Sequence, residues 1–211
     1  NHHRNTTMNN RIEQIIKYYR DLITATCTNF ELFNIFKYNK LMLYYLFSQK
    51  ILIPDEPIAN LIIKMGNRTI HFFRDYSSKN TDFISRRFNS YIYKKKQQLT
   101  NNYKYYFYPE IKPFLNIKER SEIESKINKY GEDNFERNRQ IGENESYICE
   151  LIRQDSIKEF VEYVNRTQYI LSSQISNSIF ETNSFLMKRQ SNLIEYTAFY
   201  GSVQIFQYIL A

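Results

Sequence analysis

The chain has 211 residues, which is enough to bury the core of one or two domains. Hydrophobic residues make up 42% of it, but it holds only 4 glycines and 4 prolines, few for the turns of a β-sandwich or barrel. The net charge of +7 is uneven, since residues 1–109 carry 17 Lys and Arg against 7 Asp and Glu, and residues 110–211 carry 12 against 15. A basic half can attract RNA, an anionic lipid surface or an acidic protein, and charge does not choose among them.

Compartment is indicated by what the sequence lacks. Cys27 and Cys149 are far apart and form no CxxC pair, which favours two reduced, packed thiols. No apolar run approaches the roughly 20 residues of a membrane-spanning helix. The start, NHHRNTTMNN, has no apolar core of a signal peptide. We expect a cytoplasmic protein, with the nucleus as the alternative, and no membrane partner.

Apolar residues recur at helical spacing along most of the chain, and no segment predicts a β-strand. The predicted helices are one at 11–23, two in 29–52 separated at Asn39, two in 58–76 separated at Gly66, one at 82–99 and one at 117–130. Segment 101–114 contains Pro109 and Pro113, which interrupt helices, so it is predicted to be irregular with its aromatic side chains packed. A polar, turn-rich stretch follows at 131–145.

These elements predict a domain organisation in four parts. Residues 1–10 form a flexible tail, 11–130 a helical domain, 131–145 a linker, and 146–211 a set of helix pairs with an open C-terminal end.

Two helix pairs in the last part are related by a repeat. Gly201 is the turn residue of the final pair, and Asp155 holds the same place 46 residues earlier. Each is followed by a serine, Ser202 or Ser156, whose hydroxyl is expected to cap the next helix by accepting from a free N–H. Apolar residues then lie at similar offsets from the turn: Phe160, Tyr163 and Val164 in the first pair, and Ile205, Phe206, Ile209 and Leu210 in the second.

The final pair resembles the ankyrin repeat. Ala198, Gly201 and the four apolar offsets match its pattern, whereas the Thr, Pro and His positions of that pattern hold other residues. The spacing of 46 exceeds the usual ankyrin period of about 33, and we expect the extra residues to form an inserted helix in SIFETNSFL, residues 178–186.

A wider resemblance covers roughly residues 30–211. With NIFKYNKLMLYYLF and YYFYPEIKPF in its first half, the chain resembles a family of ankyrin-repeat proteins expanded in single-celled parasitic eukaryotes. The resemblance implies an all-α, ankyrin-like array of helical hairpins (an α-solenoid), degenerate in its N-terminal part. It implies a non-catalytic scaffold for protein–protein interaction. It also implies that the chain is truncated at its first clear repeat, so that further repeats or a neighbouring subunit cover the C-terminal helix face.

Motifs for catalysis are missing from the sequence. The three histidines form no HxxxH or HExxH, and no glycine-rich phosphate loop is present. Carboxylate pairs such as Glu122 and Glu124 lie among lysines on polar faces. We therefore predict no catalytic, metal or cofactor residue, and no enzyme.

A basic, aromatic segment at 86–108 gives the main alternative. Aromatic residues are interleaved there with basic ones, the candidate partner-binding residues Arg86, Arg87, Lys94, Lys95 and Lys96. Basic groups bind phosphates and aromatic rings stack on bases, so single-stranded nucleic acid could bind. The aromatic rings could instead be core beneath a solvated basic rim, or the segment could bind an acidic protein. A structural subunit of a larger assembly is the third hypothesis.

Overall fold

The computed structural model describes residues 2–67, 102–188 and 191–211. Over these residues the structure is helical and has no β-strand, only an isolated antiparallel bridge between Gln174 and Asn192. The all-α prediction is confirmed for this part of the chain. The helix predicted at 82–99, and the second of the two predicted in 58–76, lie outside it.

Two compact units divide the chain. The first unit combines residues 1–53 with 136–211, and the second contains residues 54–135. The predicted division instead groups residues 11–130 together, and its boundaries differ from those of the two compact units.

The first unit begins with helices around an apolar core. They are α1 (His2–Tyr18), α2 (Arg20–Thr26), α3 (Asn29–Phe36) and α4 (Lys40–Ser48). The single helix predicted at 11–23 is therefore two helices, because Tyr19 leaves helical geometry at φ −99° and ψ 17°. The core residues contributed by α3 and α4 include Leu32, Phe33, Met42, Leu43 and Leu46.

Side-chain caps explain where α3 and α4 begin. Thr28 and Glu31 form a reciprocal capping box at the start of α3, which satisfies two otherwise free helix N–H groups. The side chain of Asn39 accepts from the N–H of Met42 at 3.1 Å and starts α4. The predicted break at Asn39 is thus confirmed.

The second unit contains the aromatic segment. Its described helices include α5 (Glu56–Asn67), α6 (Asn102–Tyr106), α7 (Tyr108–Ile111) and α8 (Ile117–Ile127), with 3₁₀ turns at Lys112–Phe114 and Asn128–Tyr130. The prediction that 101–114 is irregular is wrong. Pro109 and Pro113 stand in the first turns of α7 and of the 3₁₀ turn, where a missing N–H costs nothing. The expected aromatic packing is confirmed by the burial of four consecutive residues: Tyr105, Tyr106, Phe107 and Tyr108.

Helix α9, Glu132–Ile141, occupies most of the predicted linker 131–145. Its composition is polar, but acidic residues Glu132 and Asp133 lie in its first turn and Arg139 in its last. This order complements the helix dipole. Polarity alone was therefore a poor sign of a linker here.

A polar triad joins α4 to the C-terminal half of α9. The Tyr44 hydroxyl donates to Glu136 at 2.6 Å, and Arg139 donates to the other oxygen of Glu136 at 2.9 Å. The guanidinium of Arg139 also lies 4.9 Å from the centre of the Tyr44 ring. Burial raises the pKa of Tyr44 to about 12, so its hydroxyl remains a donor at physiological pH.

The C-terminal part of the first unit contains two helix hairpins and a short helix between them. The helices are α10 (Tyr147–Gln154), α11 (Ile157–Thr167), α12 (Ser184–Lys188), α13 (Leu193–Tyr200) and α14 (Val203–Leu210). We call α10–α11 the first hairpin and α13–α14 the second hairpin. Residues 178–183 are not helical, so the inserted helix predicted in SIFETNSFL is limited to α12. The side chains of Ser178 and Asn183 accept from the backbone N–H groups of Phe180 and Phe185, and such local bonds compete with helix formation.

One apolar core is shared by the two hairpins. Helix α10 packs against both α11 and α13, and α11 against α14. The buried residues of this core are Ile148, Cys149, Leu151, Ile152, Phe160, Val164, Ile175, Leu186, Leu193, Tyr196 and Ile205.

Candidate functional site

The turns of the two hairpins have the same backbone conformation. Asp155 adopts φ 50° and ψ 37°, and Gly201 adopts φ 75° and ψ 30°. The serines that follow them are also alike, with φ −79° and ψ 73° at Ser156 and φ −78° and ψ 80° at Ser202. A left-handed conformation costs a residue with a Cβ roughly 1–2 kcal/mol, and aspartate is among the residues that adopt it. Asp155 therefore occupies a position suited to glycine.

A cross-hairpin cap explains the use of aspartate at this position. The Asp155 carboxylate accepts from the backbone N–H groups of Gln204 and Ile205, both at 3.1 Å. These N–H groups belong to the first turn of α14, where no intrahelical acceptor exists. The turn of the first hairpin thus caps a helix of the second.

The serine prediction is wrong in its direction. The Ser202 hydroxyl donates to the carbonyl of Ile152 in α10, and neither Ser202 nor Ser156 caps its own helix through its side chain. The Asp155 carboxylate already accepts from two N–H groups at the N-terminus of α14. The Ser202 hydroxyl is therefore available to donate to the Ile152 carbonyl near the end of α10.

The predicted apolar positions differ in burial. Phe160 and Ile205 are fully buried, and Phe206 and Ile209 are half-buried. Ala198 is exposed, as is Leu210, whose exposed fraction is 61%. Together with Val203, which is 58% exposed, Leu210 defines what we call the outer face of α14.

Aromatic side chains of α12 and α13 form a second, partly exposed apolar group. Phe185 of α12 is 47% exposed and stacks on Phe199 of α13, with ring centres 5.8 Å apart and an interplanar angle of 7°. Phe199 in turn meets the Tyr200 ring edge-on at 5.1 Å. Part of this aromatic group is therefore exposed to solvent.

Arg153 links Glu143 and Asn144, which precede the first hairpin, to the second hairpin. Its Nε lies 2.8 Å from Glu143, and its Nη1 donates to the Asn144 carbonyl at 2.9 Å and to the Tyr196 hydroxyl at 3.1 Å. Burial raises the pKa of Tyr196 strongly, so this hydroxyl stays neutral.

Sequence reasoning missed a buried charged cluster around Lys40. The Lys40 side chain is fully buried, and its Nζ donates to the carbonyls of Ile179 at 2.8 Å and Glu181 at 2.9 Å. The Glu181 side chain is buried as well and accepts from the N–H of Asn183 at 2.7 Å. Burial lowers the pKa of Lys40 to about 7 and raises that of Glu181 to about 7. The available signal was a lysine directly before the apolar run LMLYYLF.

Neither the thiols nor metal-ligating groups form a site in the described ranges. Cys149 is buried, and burial raises the pKa of its thiol to about 11; Cys27 is half-buried and, like Cys149, a free thiol. No three His, Cys, Asp or Glu side chains come together for a metal ion within the part of the chain that the structure describes. No helix among those residues is long and apolar enough to cross a membrane.

The candidate basic residues Arg86, Arg87, Lys94, Lys95 and Lys96 lie outside the described residues. The end of that segment is described, and its rings point inward. Tyr105 and Tyr106 are buried, and Lys104 pairs with Glu122 at 3.0 Å. These two tyrosines are core residues, and they cannot stack on bases in this conformation.

Comparisons with known proteins return no relative. No family model matches the chain, and no curated protein or solved structure matches it.

Proposed function

We propose that this chain is a non-catalytic protein-binding scaffold of the ankyrin-repeat type, and that its two stacked hairpins carry the binding surface. The observation that supports this most is the paired turn at Asp155 and Gly201, with matching backbone angles 46 residues apart. Stacked units of one supersecondary type are the basis of repeat scaffolds.

Rigidity is the property that makes such a stack useful for binding. The Asp155 cap, the Ser202 bond to α10 and the Arg153 bond to Tyr196 each join one hairpin to the other. A surface held this way loses little conformational entropy when a partner binds. These contacts support the scaffold proposal because they fix the two hairpins against each other.

The outer face of α14 and the Phe185–Phe199 stack are the proposed contact surface. Aromatic and apolar side chains are enriched at the centres of protein interfaces, and Val203, Leu210 and Phe185 are each about half exposed or more. The occupant we propose is a protein: a further repeat, a neighbouring subunit or a separate polypeptide. We propose no cofactor.

A pull-down from lysate of the source cell tests the proposal, using the tagged chain with and without nuclease at roughly 50 and 200 mM salt. The variant Val203→Ser/Leu210→Ser removes apolar contact from the outer face. Glu159→Gln, an exposed change on α11, is the matched control. We expect retained proteins that survive nuclease and the higher salt, that are lost with the double variant and that remain with the control.

Other results would indicate the alternatives. Retention that disappears with nuclease, or that falls about a hundredfold with salt, contradicts the scaffold proposal and indicates nucleic acid bound through residues 86–108. A change in sedimentation of the purified chain with concentration, abolished by Val203→Ser/Leu210→Ser, would indicate instead that copies of the chain cover this face.

A further inference from the structure

The connection between the hairpins is held by polar contacts at several points along its length. We call residues 176–183 the latch segment. Its Thr182 donates to the Gly142 carbonyl from both its N–H, at 3.0 Å, and its hydroxyl, at 2.8 Å. Ser178 donates to the Glu145 carboxylate, and Lys40 of α4 donates to the carbonyls of Ile179 and Glu181. Lys40 therefore links α4 to this segment through two hydrogen bonds.

The chemistry at this link is unusual because both partners are buried. Lys40 is fully buried and Glu181 is 5% exposed. One oxygen of Glu181 accepts from Asn183, and the other, Oε2, is buried with no hydrogen-bond partner among the described residues. A buried ionised carboxylate with an unpartnered oxygen is costly. The same group costs much less as a neutral acid, or in water after the segment has moved away.

Other charged and titratable groups surround the pair. Glu145 faces Lys40. Glu143 and Arg153 face Glu181 from the entry of the first hairpin and from α10. Three further groups lie within electrostatic reach of Glu181: Cys149 of α10, and Tyr196 and Tyr200 of α13. Burial raises the pKa of each of these three, so they remain neutral between pH 5 and 9.

We propose that Lys40 and Glu181 form a pH-sensitive latch that holds the latch segment against α4 and that is weakest near neutral pH. The geometry supports this because opening the segment would transfer both side chains from a buried site to water. The closed latch places the Lys40 amine against two carbonyls as a donor and leaves one oxygen of the Glu181 carboxyl group without a partner among the described residues. The inference is independent of what the hairpins bind.

The pH dependence of the latch follows from the direction in which each pKa is shifted. The pKa of Lys40 is about 7 in the closed form against 10.5 in water, so the open form binds the proton more tightly, and the latch strengthens as pH rises from 7 towards 10.5. The pKa of Glu181 is about 7 in the closed form against 4.5 in water, so the closed form keeps its proton, and the latch strengthens as pH falls from 7 towards 4.5. The two effects together give a minimum near pH 7.

Amide hydrogen exchange of the full chain tests the latch. The probes are the N–H groups of Phe180 and Thr182, which bond to the Ser178 hydroxyl and the Gly142 carbonyl. After correction for the intrinsic pH dependence of exchange, we expect the protection factors of these two amides to be about tenfold or more higher at pH 5 and at pH 9 than at pH 7. Amides of α11 serve as an internal control and should not show this minimum.

Two variants separate the two limbs of the profile. Glu181→Gln should abolish the rise below pH 7 and keep the rise above it, whereas Lys40→Met should do the opposite. Glu159→Gln should leave both limbs of the profile unchanged. A flat profile, a maximum near pH 7, or an acid limb that persists in Glu181→Gln overturns the proposal. If a variant fails to fold, the pH profile of the unmodified chain still decides whether the proposal holds.

Discussion

The first and second hairpins share a turn conformation and differ in what surrounds them. In the first, Asp155 uses its carboxylate to cap the neighbouring α14. In the second, Gly201 has no side chain to offer, and two side chains of α14, Val203 and Leu210, are more than half exposed. The neighbours of each hairpin therefore decide whether its side chains bond within the fold or are exposed to solvent.

On the proposed function, stability and partner binding are therefore expected to be distributed unevenly over the two hairpins. Residues of the first hairpin should respond to substitution through the energy of folding. Residues on the outer face of the second should respond mainly through binding.

The largest expected effect comes from the buried ring of the first hairpin. Phe160 is fully buried and meets the Tyr208 ring of α14 edge-on at 6.1 Å. Phe160→Ala should lower the free energy of unfolding by about 3–5 kcal/mol. Urea denaturation measures it, with Phe185→Ala as the control of the same residue type; Phe185 is 47% exposed and should cost less than about 1 kcal/mol. Equal costs would contradict the burial difference.

The cross-hairpin cap should give the next effect. Asp155→Ala removes the acceptor for Gln204 and Ile205 and should cost about 1–2 kcal/mol, as the loss of a helix cap does. Asp155→Asn keeps one acceptor oxygen and tolerates the left-handed conformation, so it should cost less. The comparison uses the same urea titration. A variant Asp155→Asn as damaging as Asp155→Ala would indicate that the carboxylate charge, and not its geometry, is required.

Gly201 tests the backbone of the second turn alone. A Cβ built at Gly201 meets no atom within 4 Å, so the cost of Gly201→Ala is the left-handed strain at φ 75°. We expect about 1 kcal/mol. Gly201→Asn should cost less, because asparagine adopts this conformation more readily. If both variants were neutral in thermal melts, the turn would not be held in this conformation in solution.

Local patterns were enough to predict part of this fold. The break at Asn39 and the turns at Asp155 and Gly201 depend on caps and turn residues within a few positions, and the structure has helices that end or begin there. The burial of Tyr105 and Tyr106 also follows from composition, since so aromatic a segment needs a core.

The remaining features depend on contacts that local patterns do not contain. The Lys40 amine meets a carbonyl 139 residues away, and the Ser202 hydroxyl meets one 50 residues away. Whether a hydroxyl accepts locally or donates to a distant carbonyl is decided by tertiary packing. The prediction for segment 101–114 is wrong for a local reason, because Pro109 stands in the first turn of α7, where proline does not interrupt a helix.

The smallest expected effect belongs to the outer face of α14. Leu210→Ser changes a side chain that is 61% exposed, so the free energy of unfolding of the isolated chain should change by no more than about 0.5 kcal/mol. The same change should weaken partner capture, because an exposed leucine gains its burial only when a partner covers it. Urea denaturation at two protein concentrations separates these effects. A cost above about 2 kcal/mol that grows with protein concentration would mean that copies of the chain already bury Leu210, and the outer face would then be a self-association surface.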